Sequence, residues 1–182
     1  MTAPSLRDLE AQASTRGLLL RLQVQNLGPI TTLRVGVARR HGNALVLLGE
    51  LKGWALPSAE GLRLDTMRVQ GEGTAGVGPL IWAATFAWAL EATPCRRATI
   101  LAIRDNDRQH RRLVRYFTRL GFAPVRDLGA GVLDLAPRLI WGGAGLLMRG
   151  DCSEGLDRAM RQLDRGRTIP SKQHRQPRQT KL

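Results

Sequence analysis

Cysteine is scarce in this chain, with Cys95 and Cys152 the only two in 182 residues. Their positions give neither a paired spacing for a metal site nor a disulfide framework, so a reducing compartment and no metal are expected. Long apolar runs are missing too. The longest, Leu80 to Leu90, falls far short of the roughly 20 residues that a membrane span needs. Met1 to Arg16 is polar and broken by charges, unlike a secretory leader, which predicts a soluble cytoplasmic protein with no membrane role. Acidic residues are also few, 15 against 28 basic ones, and the formal net charge is +13. Almost all of the positive charge is arginine. Such a field attracts polyanions, including RNA, DNA, acidic proteins and phosphorylated cofactors. An arginine bias also follows from GC-rich coding, so the charge describes solution behaviour before it describes function.

The length suits one domain with a sizeable core, spanning residues 18–150, followed by a short helix and a tail. Residues 1–17 are a polar lead with a short helical stretch around Ser5 to Ala13. Alternating apolar and polar residues predict strands over Leu18 to Gln25, Leu33 to Arg39 and Ala44 to Leu51, the last two forming a hairpin around Arg40 to Asn43. Lys52 to Glu60 reads as a loop. Further strands are expected over Leu62 to Val69, Arg96 to Ile103, Phe122 to Leu128 and, interrupted by glycines, Leu139 to Arg149, with an irregular link over Gly129 to Arg138. Helices are expected over Leu80 to Glu91 and Asp107 to Leu120, the second stopped by Gly121. Several strands followed by a β-α-β-α-β run argue for a mixed sheet with helices packed on it. Residues 151–164 form the short helix. Residues 165–182 hold six basic residues and no acid, and read either as a solvated disordered end or as a basic arm for nucleic acid or an acidic protein.

The chain is organised around Val69 to Glu91. A strand runs into a loop carrying Gly71, Gly73, Gly76 and Gly78, and the loop runs directly into an apolar helix opened by Pro79. Glycines let a backbone approach a ligand closely, and the first turn of a helix presents unpaired N–H groups and the positive end of its dipole. Pro79 suits the first helical position because it has no N–H to leave unpaired. The nucleotide-triphosphatase loop is excluded, since Pro79-Leu80 stands where it needs Lys-Ser or Lys-Thr. The dinucleotide fingerprint fits Gly71, Gly73 and Gly76 in spacing, but no acidic residue follows in the ribose-binding place.

Gly73-Thr74-Ala75-Gly76-Val77-Gly78 followed by Pro79-Leu80-Ile81 resembles the pyrophosphate loop of the GNAT superfamily of N-acetyltransferases. Leu113-Val114-Arg115-Tyr116-Phe117-Thr118-Arg119-Leu120-Gly121-Phe122 resembles the same superfamily's closing motif, a helix with an Asn and a Tyr that ends in a Leu-Gly-Phe turn. The two occur in the right order with one strand between them. The run Ala102 to His110 is similar to a GNAT-like branch known from cyanobacteria and plants. The resemblance implies an α/β (α+β) fold built on a mixed, mostly antiparallel twisted sheet of six to seven strands. Helices would lie on both faces, and the sheet would splay between its fourth and fifth strands. It further implies that acetyl-CoA or another acyl-CoA lies in that splay and donates its acyl group to an amine acceptor.

Carried over by position, Met67 and Val69 would pair with the pantetheine arm, and Gly73, Thr74, Ala75, Gly76, Val77 and Gly78 would hold the diphosphate. His110 falls where the family has its Asn, and Phe117 falls where the family has its acid Tyr. Tyr116 is adjacent, but one step along a helix turns a side chain by about 100°, which predicts that it faces elsewhere unless the helix start shifts. Tyr116 as acid and Asp65 or Glu50 as base are the candidate catalytic residues. An unperturbed carboxylate near pKa 4 is a poor base toward an ammonium, so either acid would need burial or a tuned neighbour. The loop also departs from the family in carrying Gly73 where an Arg or Gln leads. Trp82, Phe86 and Trp88 read as core, and Trp141-Gly142-Gly143 reads as a bulge or a close backbone approach. The family's two helices between its first and second strands have no counterpart here, unless the Ser5 to Ala13 segment stands in for them. A second reading is therefore a catalytically inactive module of the same fold that docks RNA, ribosome or an acidic protein through its basic surface.

Overall fold

The computed structural model describes residues 3–129 and 131–167. Its elements run α1 (Leu6–Ser14), β1 (Leu18–Leu27), β2 (Ile30–His41), β3 (Ala44–Ala55), β4 (Leu62–Val69), α2 (Val77–Ala92), β5 (Arg97–Ile103), α3 (Asp107–Arg119), β6 (Ala123–Leu128), a 3-10 turn (Val132–Asp134), α4 (Leu135–Trp141), β7 (Gly145–Asp151) and α5 (Cys152–Arg167). The seven strands form one mixed sheet in the order β1-β2-β3-β4-β5-β7-β6. All neighbours are antiparallel except β4 and β5. This is the α+β architecture expected from the order of strand and helix patterns.

Local chemistry accounts for the first three strands. The β1–β2 turn is Gly28-Pro29 and the β2–β3 turn is Gly42-Asn43, each with glycine at positive φ in the first central position. Two-residue turns of that kind match the right-handed twist of the strands they join. Leu33, Val35 and Val37 then alternate with Arg34, Gly36 and Ala38 along β2, and all three are buried, so one face of the hairpins belongs to the core.

That face is covered by α2. Val77 and every residue from Leu80 to Ala89 are buried, so the helix has no polar side. A helix apolar all round must be packed all round. The sheet lies against it through β2, β3 and β4, while α1 and α5 pack on its other flanks. Gly49 permits the closest approach, because a Cβ there would come within 2.9 Å of both Val77 Cγ1 and Ile81 Cδ1. The one hydroxyl in the buried stretch, that of Thr85, donates to the Ile81 carbonyl at 2.8 Å.

The helices lie unevenly on the two faces of the sheet. α1, α2, α3 and α5 gather on the side that buries Leu33, Leu51 and Leu64. The other side carries Trp141, from the end of α4, over the guanidinium of Arg63 at 5.6 Å. Among the described residues no helix is long and apolar enough to cross a membrane.

Several boundaries differ from those read in the sequence. The stretch Leu139 to Arg149 is not one glycine-interrupted strand, for α4 ends at Trp141 and β7 begins at Gly145. The link expected over Gly129 to Arg138 holds the 3-10 turn and most of α4. Pro79 is the third residue of α2 rather than the first, since Gly76 is the N-cap with φ 82°; a missing N–H is still harmless there, within the first turn. The N-terminal segment is more than a polar lead. Ser5 and Asp8 form a capping box at the start of α1, and Leu9 and Ala13 are fully buried in the common core. No helix separates β1 from β2, and α1 packs on β1 and α2. The last helix continues to Arg167, and most of the basic tail, residues 168–182, lies outside the described residues.

Candidate functional site

β4 and β5 pair over only three positions, Leu62 with Ala98, Arg63 with Thr99 and Leu64 with Ile100. Both strands continue, to Val69 and Ile103, but apart. The cause sits on the other edge of β4. Lys52 of β3 pairs with Thr66, while Gly53 pairs with Leu64, leaving Asp65 as an extra residue in a bulge. A bulge bends its strand and sharpens the local twist, which carries the second half of β4 away from β5. The gap holds a cleft of about 620 Å³. Met67 and Val69 form one wall, Leu101 and Ile103 the other, and Leu113, Tyr116 and Phe117 of α3 close it from the core side, with Trp141 and Gly142 at the rim.

Tyr116 therefore faces the cleft, against the expectation that it would turn away. An inward helix stripe is about 100° wide, so two adjacent residues can occupy its two margins. Phe117 takes the core margin, nearly buried and edge-on to Trp82 at 6.3 Å. Tyr116 takes the cleft margin. Its hydroxyl accepts a 2.7 Å hydrogen bond from the indole Nε1 of fully buried Trp82. Indole nitrogen is a donor only, so the tyrosine proton is directed away from Trp82. Burial pushes the Tyr116 phenol above the usual tyrosine value, the bond from Trp82 opposing this in part. The phenol thus stays protonated at neutral pH.

The glycine loop meets the cleft through its last member. A Cβ on Gly78 would stand 3.5 Å from Met67 Cε and 3.6 Å from Tyr116 Oη, so the missing side chain leaves that corner open. Gly73 and Gly76 both have positive φ. Val77 N–H bonds the Thr74 carbonyl and Leu80 N–H the Gly76 carbonyl, each at 3.0 Å. α2 has no side-chain cap, and among the described residues the Gly78 N–H meets no acceptor. Arg39 reaches the loop from β2 and donates to the Gly73 carbonyl at 3.0 Å, and Arg16 stands near Gly76, its Nη1 3.2 Å from where a Cβ would lie. Thr74 and Ala75 form the outer part of the loop, while Val77 is fully buried and serves the core. Beyond Tyr116 the cleft opens into a second hollow of about 670 Å³, bordered by Asn106, Arg108, Gln109 and Arg112.

The other candidates divide. Asp65 lies at the cleft on its bulge, exposed, and also borders a shallow groove with Gln23, Arg34, Lys52 and Trp54. Glu50 is not part of the cleft. Arg34 holds it through Nε at 2.9 Å and Nη2 at 2.7 Å, and these bonds keep its carboxyl below the usual glutamate range. His110 is not at the cleft either. It is half-buried, and its Nδ1 lies 3.2 Å from the Ile103 carbonyl, where it ties the first turn of α3 to the end of β5. Gln109, one residue earlier, takes the place at the wall. Sequence reasoning passed over Gln109 and Leu113, although with Tyr116 they form an i, i+4, i+7 stripe that a helical projection displays. Trp141 reads in the sequence as part of a bulge or a close backbone approach, and nothing local signals that it would stack over Arg63, whose pKa is lowered chiefly by burial and then by nearby Arg149.

Among the described residues no group of three His, Cys, Asp or Glu side chains is placed to hold a metal ion. No family model matches the chain. No curated protein matches it either.

Proposed function

We propose that the cleft between β4 and β5 binds an acyl-CoA and that the protein transfers the acyl group to an amine, as a member of the GNAT superfamily. The observation that carries this reading is the splay itself, with Gly78 left bare where a side chain would enter the space between Met67 and Tyr116. Past Leu64, the inner edge of β4 has no strand partner, so it can pair with an extended, amide-bearing arm as an added strand would. The uncapped start of α2 suits a diphosphate, and Arg108 and Arg112 at the outer hollow suit further phosphate.

When bound, the cofactor supplies a thioester as acyl donor. An amine nitrogen forms the new C–N bond as the C–S bond breaks, and the departing sulfur needs a proton. Tyr116 holds one, aimed away from Trp82 and kept by burial. Asp65, at the junction of the cleft and the shallow groove, attracts a protonated amine to the site. Because Asp65 is exposed, the proton that the amine loses passes to water rather than to a buried base.

Isothermal titration of acetyl-CoA tests the site. A micromolar affinity, about 8 kcal/mol, is expected for the natural chain and for Gly78→Ala, since a lone Cβ there makes ordinary contacts. Gly78→Glu should abolish binding while the thermal transition persists. Equal affinity in the Glu variant would refute the assignment.

A further inference from the structure

On α3, Arg108, Arg112, Arg115 and Arg119 recur at intervals of four, three and four residues. At about 100° per residue all four lie within about 60° of one another around the helix. The first two border the outer hollow of the cleft. The last two run beyond it toward α5. There Arg119 joins Arg158, Arg161, Gln162 and Arg165 around a separate hollow of about 270 Å³. Arg158 is tied down, to Glu154 at 2.5 Å and to the Arg119 carbonyl at 3.3 Å. Arg115, Arg119, Arg161 and Arg165 are exposed and form no ion pair among the described residues. Neighbouring like charges three or four residues apart destabilise a helix.

The chemistry of the strip selects its partner. Its basic residues are all arginine, and the guanidinium fork engages phosphate oxygens in pairs where lysine offers a point charge. It carries no exposed large apolar side chain; those stand elsewhere, Leu27, Leu45 and Val46 on the hairpins, Leu133 and Leu139 near α4. A protein partner would need an apolar centre to the interface, and a membrane surface would need an apolar face to insert. Single-stranded nucleic acid would need aromatic platforms for its bases, and the aromatic rings of α3 point into the cleft and core. We propose that the α3–α5 strip binds the phosphate backbone of a nucleic-acid duplex without reading its sequence. The proposal rests on Arg115, Arg119, Arg161 and Arg165, and so is independent of what occupies the cleft.

The test is fluorescence anisotropy of the full chain with labelled 24-base-pair RNA and DNA duplexes between 50 and 200 mM salt. Four phosphate contacts give a log–log salt slope of about −3.6, a loss of roughly a hundredfold over that range, and any contacts from residues 168–182 add to it. Arg115→Gln with Arg119→Gln, and separately Arg161→Gln with Arg165→Gln, should each flatten the slope by about 1.8. The Arg→Lys versions should keep the slope and lose only affinity. Equal affinity for RNA and DNA assigns the site to backbone charge, and preference for RNA assigns it to A-form spacing; both support the strip. Unchanged slopes in the two Gln pairs overturn it, as does tighter binding to single strands, or to polyglutamate, than to either duplex. Acetyl-CoA titration of the same variants reads the cleft separately, because none of the four arginines lines it.

Discussion

Replacing Tyr116 by Phe separates a structural role of its hydroxyl from a catalytic one. Trp82 is fully buried and its Nε1 donates to Tyr116 Oη at 2.7 Å. Phe at 116 keeps the ring contacts with Trp82 and Phe117, at 6.5 and 5.7 Å between centroids, but strands the indole N–H without an acceptor. A buried donor left unpaired costs about 1–3 kcal/mol. With a urea slope of about 2 kcal/mol per molar, that lowers the denaturation midpoint by about 0.5–1.5 M. Trp82→Phe has a larger cost of its own, because it opens a void among Phe86, Phe117 and Phe122. The two changes should not add. Once Trp82 is gone no N–H is stranded, so Tyr116→Phe in that background should cost at least about 1 kcal/mol less than in the natural chain, the signature of a direct pair in a double-mutant cycle. A Tyr116→Phe variant as stable as the natural chain, with no coupling to Trp82, would refute the hydrogen bond and with it the orientation of the tyrosine proton. In the acyl-transfer assay the same variant should lose turnover by about 10²- to 10⁴-fold while its acetyl-CoA affinity holds.

Three other outcomes follow from the packing and the charges. Gly155→Ala places a Cβ 2.6 Å from Phe86 Cε2 against a ring that is fully buried, and should destabilise the fold by about 1–3 kcal/mol in a thermal melt. Glu50→Gln removes the Arg34 pair; because the folded carboxyl titrates below its unfolded value of about 4.3, the pair's contribution is present above that pH and lost as pH falls through the folded value. Natural and variant chains should thus differ by under about 1 kcal/mol at pH 7 and converge toward pH 3, with acyl transfer unaffected. Cys95 and Cys152 are both fully buried, and burial pushes the Cys152 thiol up to about 12, so a thiol reagent at pH 8 should modify neither in the native chain and both in urea.

The legible parts of this fold share one property, that their determinants lie within a few residues of one another. Gly28-Pro29 and Gly42-Asn43 specify their hairpins by turn chemistry alone, and the unbroken apolar run of α2 requires burial on every side wherever that helix packs. The glycine loop likewise announces an open strand-to-helix junction. α4 was misread because Leu139-Ile140-Trp141 is too short to reveal a period, and a brief apolar run beside glycines suits a strand as well as a helix. Glu50 was a reasonable candidate until β2 and β3 paired, since only that register puts Arg34 beside it.

By itself, then, the sequence determined the neighbouring first three strands through their turns, the central apolar helix, and a loop suited to phosphate, while the order of the last three strands came from the packed sheet. Tertiary structure alone decided that a cleft exists and what faces it. The splay depends on one extra residue, Asp65, in a register shared with β3, and the direction of Tyr116 depends on Trp82, 34 positions away in the chain. Neither is a property of a segment. Each is a relation between segments, fixed when α2 is enclosed and its neighbours must satisfy the indole N–H that the burial of Trp82 leaves without water.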